Sequence, residues 1–435
     1  MATNGKRKLR ILVTPLNGHG HINACHGLCS DLLERGHEIV FVLDKSFAGR
    51  LERYGFKELI LDPPTKKIGD DSFDDDEEIW PQFVKKNTKR FEESPIDHLK
   101  GVILDAFTIM MQHQNRFIDQ YKKAIDDVKP DLIIHDGYVC FPTIVNSSIP
   151  WIWLFSASPH LMLMDPRIPP FYSGLPLNGD KNEWTNYLEQ AKKNFEPLQR
   201  VLNADCIANG GNDLNGRLHP MSNFLNIFMQ PEELRYKELG ELPENVVAVD
   251  CLVRKVPEQS FDLPKQLQDL PGKLVFFSMG SFGCANLPMM KRLVDILSRS
   301  SHRFIVSKGS LEYDLPGKNL YGEPFLPQVA ILPMVDLVIT HGGNNTVTET
   351  FYYGKPMLVM PMFCDQFDNA QRIAEVGLGA RLSPFTCTEH ELLSTIDKLL
   401  DDTQLKKRME QIGERIRSSN DKRKVSDIIE AKLCK

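Results

Sequence analysis

Residues 325–371 read FLPQVAILPMVDLVITHGGNNTVTETFYYGKPMLVMPMFCDQFDNAQ, in which an apolar run, a glycine-rich turn and a polar segment follow one another. The apolar run at 337–340 predicts a buried strand, and the turn at 341–343 predicts that the strand ends there. A helix is predicted to begin at Asn344 or Asn345. Glycines let a backbone approach a ligand closely, and the free amides of a helix N-terminus bind phosphate. This stretch therefore favours an α/β domain with a phosphate site at one strand end.

Several polar side chains in the same stretch suit a phosphorylated ligand. His341, Asn345 and Thr346 offer hydrogen-bond donors beside the predicted phosphate site. Glu349 lies one helical turn further on, where its carboxylate could accept hydrogen bonds from a ribose diol. A turn and helix cap without any ligand would show the same three-residue turn. Phosphate binding is therefore a hypothesis that the turn alone does not decide.

Strand and helix patterns alternate at both ends of the chain. Residues 9–14 and 39–43 are strand-like, residues 22–35 carry apolar side chains at helical spacing, and Gly36 is placed to end that helix. Such alternation predicts a parallel sheet with helices packed on it. The further strand-like runs are 132–134, 274–277, 304–306 and 357–360, and each of the last three is expected to precede a loop and a helix.

The length and the linker pattern predict two domains. The chain has 435 residues, which is too long for one core of ordinary size. Residues 251–271 are charged and punctuated by three prolines, as an interdomain linker would be. We therefore divide the chain into a first domain at 1–250, the linker, and a second domain at 272–415. Residues 416–435 are expected to form a helix that packs back on the first domain.

Composition limits the class of protein. The formal net charge is −6 and the pI is about 6.1, which argues against a nucleic-acid-binding protein. Residues 1–10 lack the apolar core of a signal peptide, and no apolar run of about 18 residues predicts a membrane span. The nine cysteines are scattered and odd in number, as is typical of reduced thiols. We expect a soluble, cytoplasmic protein.

Two patterns raise the question of a metal site. Cys25 and Cys29 flank His26 on a predicted helix, but buried helical thiols explain them better because no second ligand pair follows. The acidic segment at 70–78 contains Asp74-Asp75-Asp76, formally a DxD pattern of the kind that can hold a divalent ion. A solvated loop is favoured, because a metal site needs carboxylates fixed at a strand end. We expect no metal.

A histidine and an aspartate follow two predicted strands of the first domain. Residues 15–21 read PLNGHGH and end at His21, near the start of the first helix. Asp136 follows the strand at 132–134, so both side chains can reach the crevice at the strand ends. A carboxylate on one ring nitrogen would fix the tautomer of a histidine base. His19 and His135 are lesser candidates, interpreted as a loop residue and a strand-end residue.

The stretch at 325–371 resembles, over its whole length, the donor-binding signature of the UDP-glycosyltransferase family. The resemblance extends to both ends of the chain and thins out between about 165 and 250. It implies a GT-B fold, in which two Rossmann-like domains enclose a cleft. The first domain would then bind the acceptor and the second the UDP-sugar.

The resemblance also implies donor-binding roles position by position. Phe325 stands where the family usually has a tryptophan stacked on uracil. Phenylalanine keeps a stacking face but offers less area and no indole donor, which leaves the donor preference open. Asp365 and Gln366 match the pair that holds hydroxyls of the transferred sugar, which favours glucose. The full set of implied donor-binding residues is Ser281, Phe325, Leu326, Gln328, His341, Gly343, Asn345, Thr346, Glu349, Asp365 and Gln366.

Catalytic roles follow from the same resemblance. The motif Gly20-His21-Ile22-Asn23 matches the family's base motif, which makes His21 the general base and Asp136 its support. The implied reaction is a metal-independent, inverting transfer from a UDP-sugar co-substrate, with no other cofactor. A small lipophilic acceptor is expected, and detoxification of foreign compounds would be a natural role. The candidate acceptor-pocket residues are His19, Tyr138, Phe141, Phe155 and Met162.

Two other classes of protein compete with this interpretation. A dinucleotide-dependent oxidoreductase would use Gly18-His19-Gly20 after a strand and Asp44 at the end of the next. However, Asn23 stands where that fingerprint has its third glycine. A non-catalytic binding protein on the same fold would retain the nucleotide site without turnover. The histidine–aspartate pair together with the nucleotide signature favours the enzyme.

Overall fold

Two parallel β-sheets, one from each half of the chain, organise the protein. The computed structural model describes residues 7–62, 79–254, 260–309 and 311–434. The acidic segment at 70–78 and part of the linker, 255–259, lie outside the described residues. In the described ranges the first sheet has seven strands and the second has six.

The first sheet runs in the order β3-β2-β1-β4-β5-β6-β7, and all its neighbouring strands are parallel. Successive side chains of a strand point to opposite faces, so Leu12 and Val13 enter two different apolar clusters. Both faces of this sheet are therefore covered. The strands β1 to β7 are Arg10–Thr14, Glu38–Asp44, Lys57–Leu61, Leu132–His135, Trp151–Phe155, Leu225–Met229 and Val246–Val249.

Eight helices accompany the first sheet in the described ranges. The first begins at His19, three residues before the predicted start at residue 22, with an extended Gly18 before it and Gly20 inside its first turn. It ends before Gly36, which has a φ of +85°. Cys25, His26 and Cys29 are buried on it, as expected of core side chains. The helices α1 to α8 are His19–Glu34, Ile79–Asn87, Pro95–His98, Val102–Arg116, Ile118–Val128, Pro142–Val145, His160–Leu163 and Lys181–Ala208.

The second sheet runs in the order β10-β9-β8-β11-β12-β13, again with parallel neighbours. Its central strand has the bounds that the sequence predicts, 337–340, because the glycine turn ends it sharply. The strands β8 to β13 are Leu274–Ser278, Arg303–Ser307, Leu320–Glu323, Leu337–Thr340, Met357–Val359 and Gly379–Arg381. The helices α9 to α17 are Lys265–Gln268, Gly280–Cys284, Leu287–Leu297, Gln328–Ile331, Asn344–Tyr352, Gln366–Glu375, Glu389–Asp401, Thr403–Ser418 and Asp421–Leu433.

Two expectations about connections are wrong. The predicted helix after the strand at 304–306 is absent from the described part of the connection to β10, where Pro316-Gly317 disfavours one. The segment around 166–239, whose sequence pattern predicts helices, also contributes the strand β6. That strand is a five-residue buried run between polar segments, and its shortness hides it from a helical pattern.

The helix α17 lies against the first half of the molecule. Its Val425 and Ile429 are buried in the apolar cluster that α1 and the first sheet share. Its Glu430 accepts hydrogen bonds from Arg35 Nη1 at 3.1 Å and from His37 Nε2 at 3.2 Å. The chain therefore returns to its first domain after completing the second. None of the helices in the described ranges has both the length and the apolar character needed to cross a membrane.

Candidate active site between the two sheets

The N-terminus of α13 lies against the carboxyl edge of the first sheet. The side-chain amide of Asn344 donates to the carbonyl oxygens of Ser156 and Met229, at 3.1 and 3.0 Å. The side-chain amide of Asn345 donates to the carbonyl oxygen of Gly20. The helix terminus that follows the glycine turn is thus joined directly to the first turn of α1, which carries His21.

His21, Asp136 and Ser156 form a hydrogen-bonded group at this edge. Asp136 Oδ2 lies 2.8 Å from His21 Nδ1, and Ser156 Oγ donates to the same carboxylate oxygen at 2.7 Å. Ser156 Oγ is also 2.8 Å from His21 Nδ1. The side chain of Asp136 is 1% exposed and that of His21 is 19% exposed. Because Nδ1 faces the carboxylate, Nε2 is the ring nitrogen that can accept a proton from a ligand.

Ser156 was missed by the sequence analysis. It directly follows the buried strand β5, which is hydrogen-bonded to β4, and Asp136 directly follows β4. The carboxyl ends of neighbouring parallel strands meet at one edge, so a polar residue after β5 had to lie near Asp136. That rule, applied to residues 151–156, would have found it.

His19, which the sequence predicts in a loop, is the first residue of α1 and is held by an arginine. Arg50 Nη1 donates to His19 Nδ1 at 2.8 Å, and the ring packs edge-on against Phe47. Burial, together with the positive charges of Arg50 and Arg254, lowers the pKa of His19 to about 4. His19 is therefore a neutral imidazole whose proton lies on Nε2, since a guanidinium can only donate.

His135, the other lesser candidate, points into the core. Its Nδ1 lies 2.9 Å from Thr14 Oγ1, and its ring stacks on that of His219. Burial lowers the pKa of His135 to about 4. The strand alternation that sends Asp136 to the crevice sends its neighbour into the packed interior.

His341 fits tightly between two glycines of the second half. A Cβ atom on Gly280 would lie 2.4 Å from the His341 ring, and one on Gly343 would also lie 2.4 Å from it. Gly280 additionally has a φ of +65°, which other residues rarely adopt. Burial lowers the pKa of His341 to about 4, so the ring is neutral. Ser281 follows Gly280 and is exposed beside this ring.

Thr346 and Glu349 line the first two turns of α13. Gln328 Nε2 donates to Glu349 Oε2 at 2.6 Å and approaches Thr346 Oγ1 at 3.5 Å. Arg254 Nη1 donates to Glu349 Oε1 at 2.7 Å. The structure thus gathers three of the predicted donor-binding residues. Arg254 was not predicted, because its position in the linker gives no periodic signal.

Phe325 and Leu326 lie in the loop between β10 and α12. The side chain of Phe325 is 74% exposed, an unusual state for an aromatic residue. Leu326 is half-buried. An exposed aromatic ring three residues before Gln328 can offer its face to a planar ligand.

Asp365 directly precedes α14 and Gln366 begins it, and both side chains are buried. Asp365 Oδ2 accepts a hydrogen bond of 3.0 Å from the backbone amide of Ser158, in the first half. Burial raises the pKa of Asp365 to about 6, against the lowering effects of that bond and of the charge of His21. Gln366 Oε1 accepts from the amides of Met362 and Phe363, at 3.0 and 3.1 Å.

The candidate acceptor residues fall into two groups. Tyr138 meets the ring of His21 edge-on, with centroids 5.6 Å apart, and Phe155 packs against Tyr138 at 5.3 Å. Phe155, Phe141 and Met162 are all core residues with at most 1% exposure. The structure therefore brings Tyr138 to the histidine and leaves the pocket role of the other side chains a prediction.

Aromatic residues from both halves meet beside the site, although no sequence pattern marks them as site residues. Phe282 and Phe363 of the second half stack at 5.7 Å, while Trp80 and Phe83 of α2 contact Phe282 at 5.5 and 6.2 Å. Trp80 Nε1 donates to the carbonyl of Asn17 in the loop after β1. Phe363 stands two residues before Asp365, which places this cluster next to the cleft.

The structure also places the residues behind the dinucleotide and metal-site hypotheses. Asp44, the ribose-binding acid of the dinucleotide hypothesis, accepts a hydrogen bond from His113 Nε2 at 3.0 Å. The Asp74-Asp75-Asp76 pattern lies outside the described residues. Within those ranges, no three or more His, Cys, Asp or Glu side chains gather as metal ligands would.

Residues 246–416 match a family model described as UDP-glucoronosyl and UDP-glucosyl transferase. The chain is 21% identical to YojK of Bacillus subtilis (strain 168), named an uncharacterized UDP-glucosyltransferase, with 96% of each chain covered. It is 24% identical to the oleandomycin glycosyltransferase of Streptomyces antibioticus, over 97% of this chain and 90% of that one. Among solved structures, that of the kitacinnamycin glycotransferase matches with a TM-score of 0.69 at 19% identity, covering 98% of this chain and 100% of that one.

Proposed function

We propose that this chain, which is a glycosyltransferase of the UDP-glucoronosyl and UDP-glucosyl transferase family, transfers a hexose from a UDP-hexose to a hydroxyl of a small lipophilic acceptor. Glucose is the sugar we expect first. The family, the enzyme class and the GT-B fold that the sequence predicts are confirmed. The alternative hypothesis of a dinucleotide-dependent oxidoreductase is wrong. The observation that carries the finer proposal is the 2.8 Å contact between His21 and Asp136, opposite the N-terminus of α13.

His21 acts as the general base in this proposal. Its Nε2 removes the proton of the acceptor hydroxyl while the oxygen attacks the anomeric carbon of the sugar. The new bond joins that oxygen to the anomeric carbon, and the bond from the carbon to the donor phosphate breaks on the opposite face. The configuration therefore inverts and UDP leaves. Asp136 stabilises the imidazolium that forms and keeps the ring in one tautomer.

The leaving diphosphate would be stabilised by fixed donors of the second half. The backbone amides of the first turn of α13 from Gly343 onward, with Asn345 and Thr346, are joined in this region by Ser281 and the neutral ring of His341. Donors held in place before the reaction are typically worth about 3–4 kcal/mol of barrier each. This scheme uses no metal and no cofactor beyond the UDP-sugar, which stays a prediction.

The remaining donor contacts follow from the positions of six residues. Phe325 would stack on uracil, with Leu326 and Gln328 beside it, and Glu349 would hold the ribose. Asp365 and Gln366 would hold the sugar hydroxyls. With a pKa of about 6, Asp365 is mostly ionised at neutral pH and can accept hydrogen bonds from hydroxyl groups.

The acceptor would lie on the His21 side of the cleft. Tyr138, Phe155 and the aromatic rings of Phe282 and Phe363 give this side an apolar character that suits phenols, flavonoid-like compounds or sterols. His19 would border the same space, with Phe141 and Met162 behind it. We propose glycosylation of foreign lipophilic compounds as the biological role. All nine cysteines are free thiols, which favours a cytoplasmic location.

The test is a transfer assay with the purified protein. UDP-glucose is incubated with a panel of phenols and aliphatic alcohols, with and without EDTA, and both UDP release and glycoside mass are followed. We expect UDP release that depends on the acceptor, with a hexose added to its mass. UDP binding without product from UDP-glucose, UDP-galactose or UDP-N-acetylglucosamine would instead support a non-catalytic binding protein.

A further inference from the structure

Glu349 is a buried carboxylate with a donor on each oxygen. Its side chain is 5% exposed, in the second turn of α13. Oε1 accepts from Arg254 Nη1 at 2.7 Å, and Oε2 accepts from Gln328 Nε2 at 2.6 Å. An ionised carboxylate has about four lone-pair sites, so these two bonds leave one further acceptor site on each oxygen.

The two donors come from different parts of the chain. Gln328 begins α12 of the second half, close in sequence to the exposed ring of Phe325. Arg254 belongs to the segment between β7 and β8, which joins the two sheets. Its side chain is 16% exposed, and its positive charge reaches His19 in the first half. Arg254 therefore lies between the first turn of α1, which carries His19 and His21, and the helix α13, which carries Glu349.

We propose that Arg254 positions Glu349 for the recognition of both ribose hydroxyls of the donor, which rests on the proposed function. A carboxylate fixed at both oxygens presents its two remaining lone pairs in one orientation. Two adjacent hydroxyls, as in a ribose 2′,3′-diol, match two such acceptors side by side. A 2′-deoxyribose would leave one of these buried acceptors without a partner, at a cost in affinity.

This arrangement makes a residue of the connecting segment part of the nucleotide specificity. Loss of the guanidinium would leave the buried carboxylate of Glu349 without its counter-charge. The hydrogen bond from Gln328 alone would not fix the orientation of the carboxylate. Donor selectivity between ribonucleotides and 2′-deoxyribonucleotides would then be lost together with the fixed orientation. A lysine at this position would supply the charge but lacks the planar, directed donors of arginine.

The experiment measures the affinities of UDP and 2′-deoxy-UDP by calorimetry for four proteins. These are the wild type, Arg254→Gln, Arg254→Lys and a matched control, Arg299→Gln. Arg299→Gln removes the same charge, but the side chain of Arg299 is 45% exposed and pairs with Asp295 and Glu389 on the surface. Circular dichroism and thermal unfolding accompany each variant, and Arg254→Lys decides the matter should Arg254→Gln fail to fold.

We expect the wild type and Arg299→Gln to prefer UDP over 2′-deoxy-UDP by about tenfold or more. Arg254→Gln should bind both nucleotides with the same weak affinity. The preference of Arg254→Lys for UDP should lie between that of the wild type and that of Arg254→Gln. If Arg254 had a purely structural role, its loss would weaken the binding of UDP and of 2′-deoxy-UDP by the same factor. An unchanged ratio of the two affinities in Arg254→Gln therefore overturns the inference. A wild type that binds UDP without preference also overturns it. A wild type that does not bind UDP would instead remove the proposed function itself.

Discussion

The backbone amide of Ser158 donates a hydrogen bond of 3.0 Å to Oδ2 of Asp365, and this bond crosses the cleft between the two sheets. Three residues further along α14, Asp368 accepts from the amides of Tyr172 and Gly174, at 2.7 and 3.0 Å. Carboxylates of the second half are therefore used as acceptors for backbone of the first half. Their burial has consequences for how stability depends on pH.

Asp365→Asn should gain stability relative to the wild type as the pH rises from 4 to 7. The folded protein holds the proton of Asp365 up to about pH 6, whereas the unfolded chain releases it near 3.8. Ionisation therefore costs the wild type stability across that interval, up to about 3 kcal/mol. Asparagine cannot ionise and still offers an oxygen to Ser158. Urea unfolding at each pH measures the difference, and a difference independent of pH would contradict the raised pKa.

Replacing the base should slow transfer by orders of magnitude without affecting nucleotide binding. For His21→Ala we expect a loss in kcat of about 10²–10⁴-fold, and for Asp136→Asn a loss of the same order, because the tautomer is no longer fixed. Initial rates and UDP titrations measure the two quantities separately. His390→Ala, which removes an exposed histidine of the second half, serves as the control. Full turnover in His21→Ala would contradict the assignment.

Ser156→Ala should lower kcat by about tenfold with little change in KM. The Ser156 hydroxyl donates to Asp136 Oδ2 at 2.7 Å, so its loss removes one of the bonds that hold the carboxylate against His21. Steady-state kinetics at saturating donor measure the effect. Ser418→Ala, an exposed serine at the end of α16, is the matched control. A change confined to KM would show that Ser156 acts in binding and not in holding the base.

Phe325→Ala should weaken UDP binding by about 1–2 kcal/mol, and Phe325→Trp should strengthen it by about 0.5 kcal/mol, through changes in stacking area. Neither variant should alter the unfolding temperature, since the side chain is 74% exposed. Calorimetric titration with UDP and thermal unfolding provide the two measurements. Val201→Ala, which shortens an exposed side chain of α8, controls for loss of surface area. Unchanged affinity in Phe325→Ala would exclude stacking.

Glu430→Gln should destabilise the protein by about 1–3 kcal/mol, whereas Asp427→Asn should change stability by less than about 0.5 kcal/mol. Both side chains accept from Arg35, but Glu430 is 7% exposed and also binds His37, while Asp427 is 67% exposed. Denaturant unfolding of the two variants measures the contrast. Equal effects would mean that burial does not decide the strength of these pairs.

Local patterns predicted the elements that carry strong local signals. The strand at 337–340 and the helix start at Asn344 were found because an apolar run, a glycine turn and a helix onset follow one another within eight residues. The start of α1 was missed because its first turn contains Gly20, a residue of low helix propensity. Here tertiary contact, in the form of the Asn345 bond to Gly20, outweighs propensity.

Contacts between distant segments could not be predicted in this way. Ser156 lies 135 positions from His21, and Arg254 lies 95 positions from Glu349. Periodicity reports which face of an element is buried and gives no information on which distant side chain it meets. Likewise the sequence pattern does not distinguish the environments of the aromatic residues Phe141 and Tyr138. Only the strand ends and the packing decide that Tyr138 reaches His21 and Phe141 stays in the core.

The position of α17 bears on the order in which the protein can fold during synthesis. The contact between Arg35 and Asp427 joins residues that leave the ribosome 392 positions apart. Until α17 has emerged, the apolar surface of α1 and the first sheet that Val425 and Ile429 cover stays open to water. The first domain is thus the earliest to be made and the last to be closed, so a nascent chain carries an exposed apolar surface while residues 250–424 are synthesised.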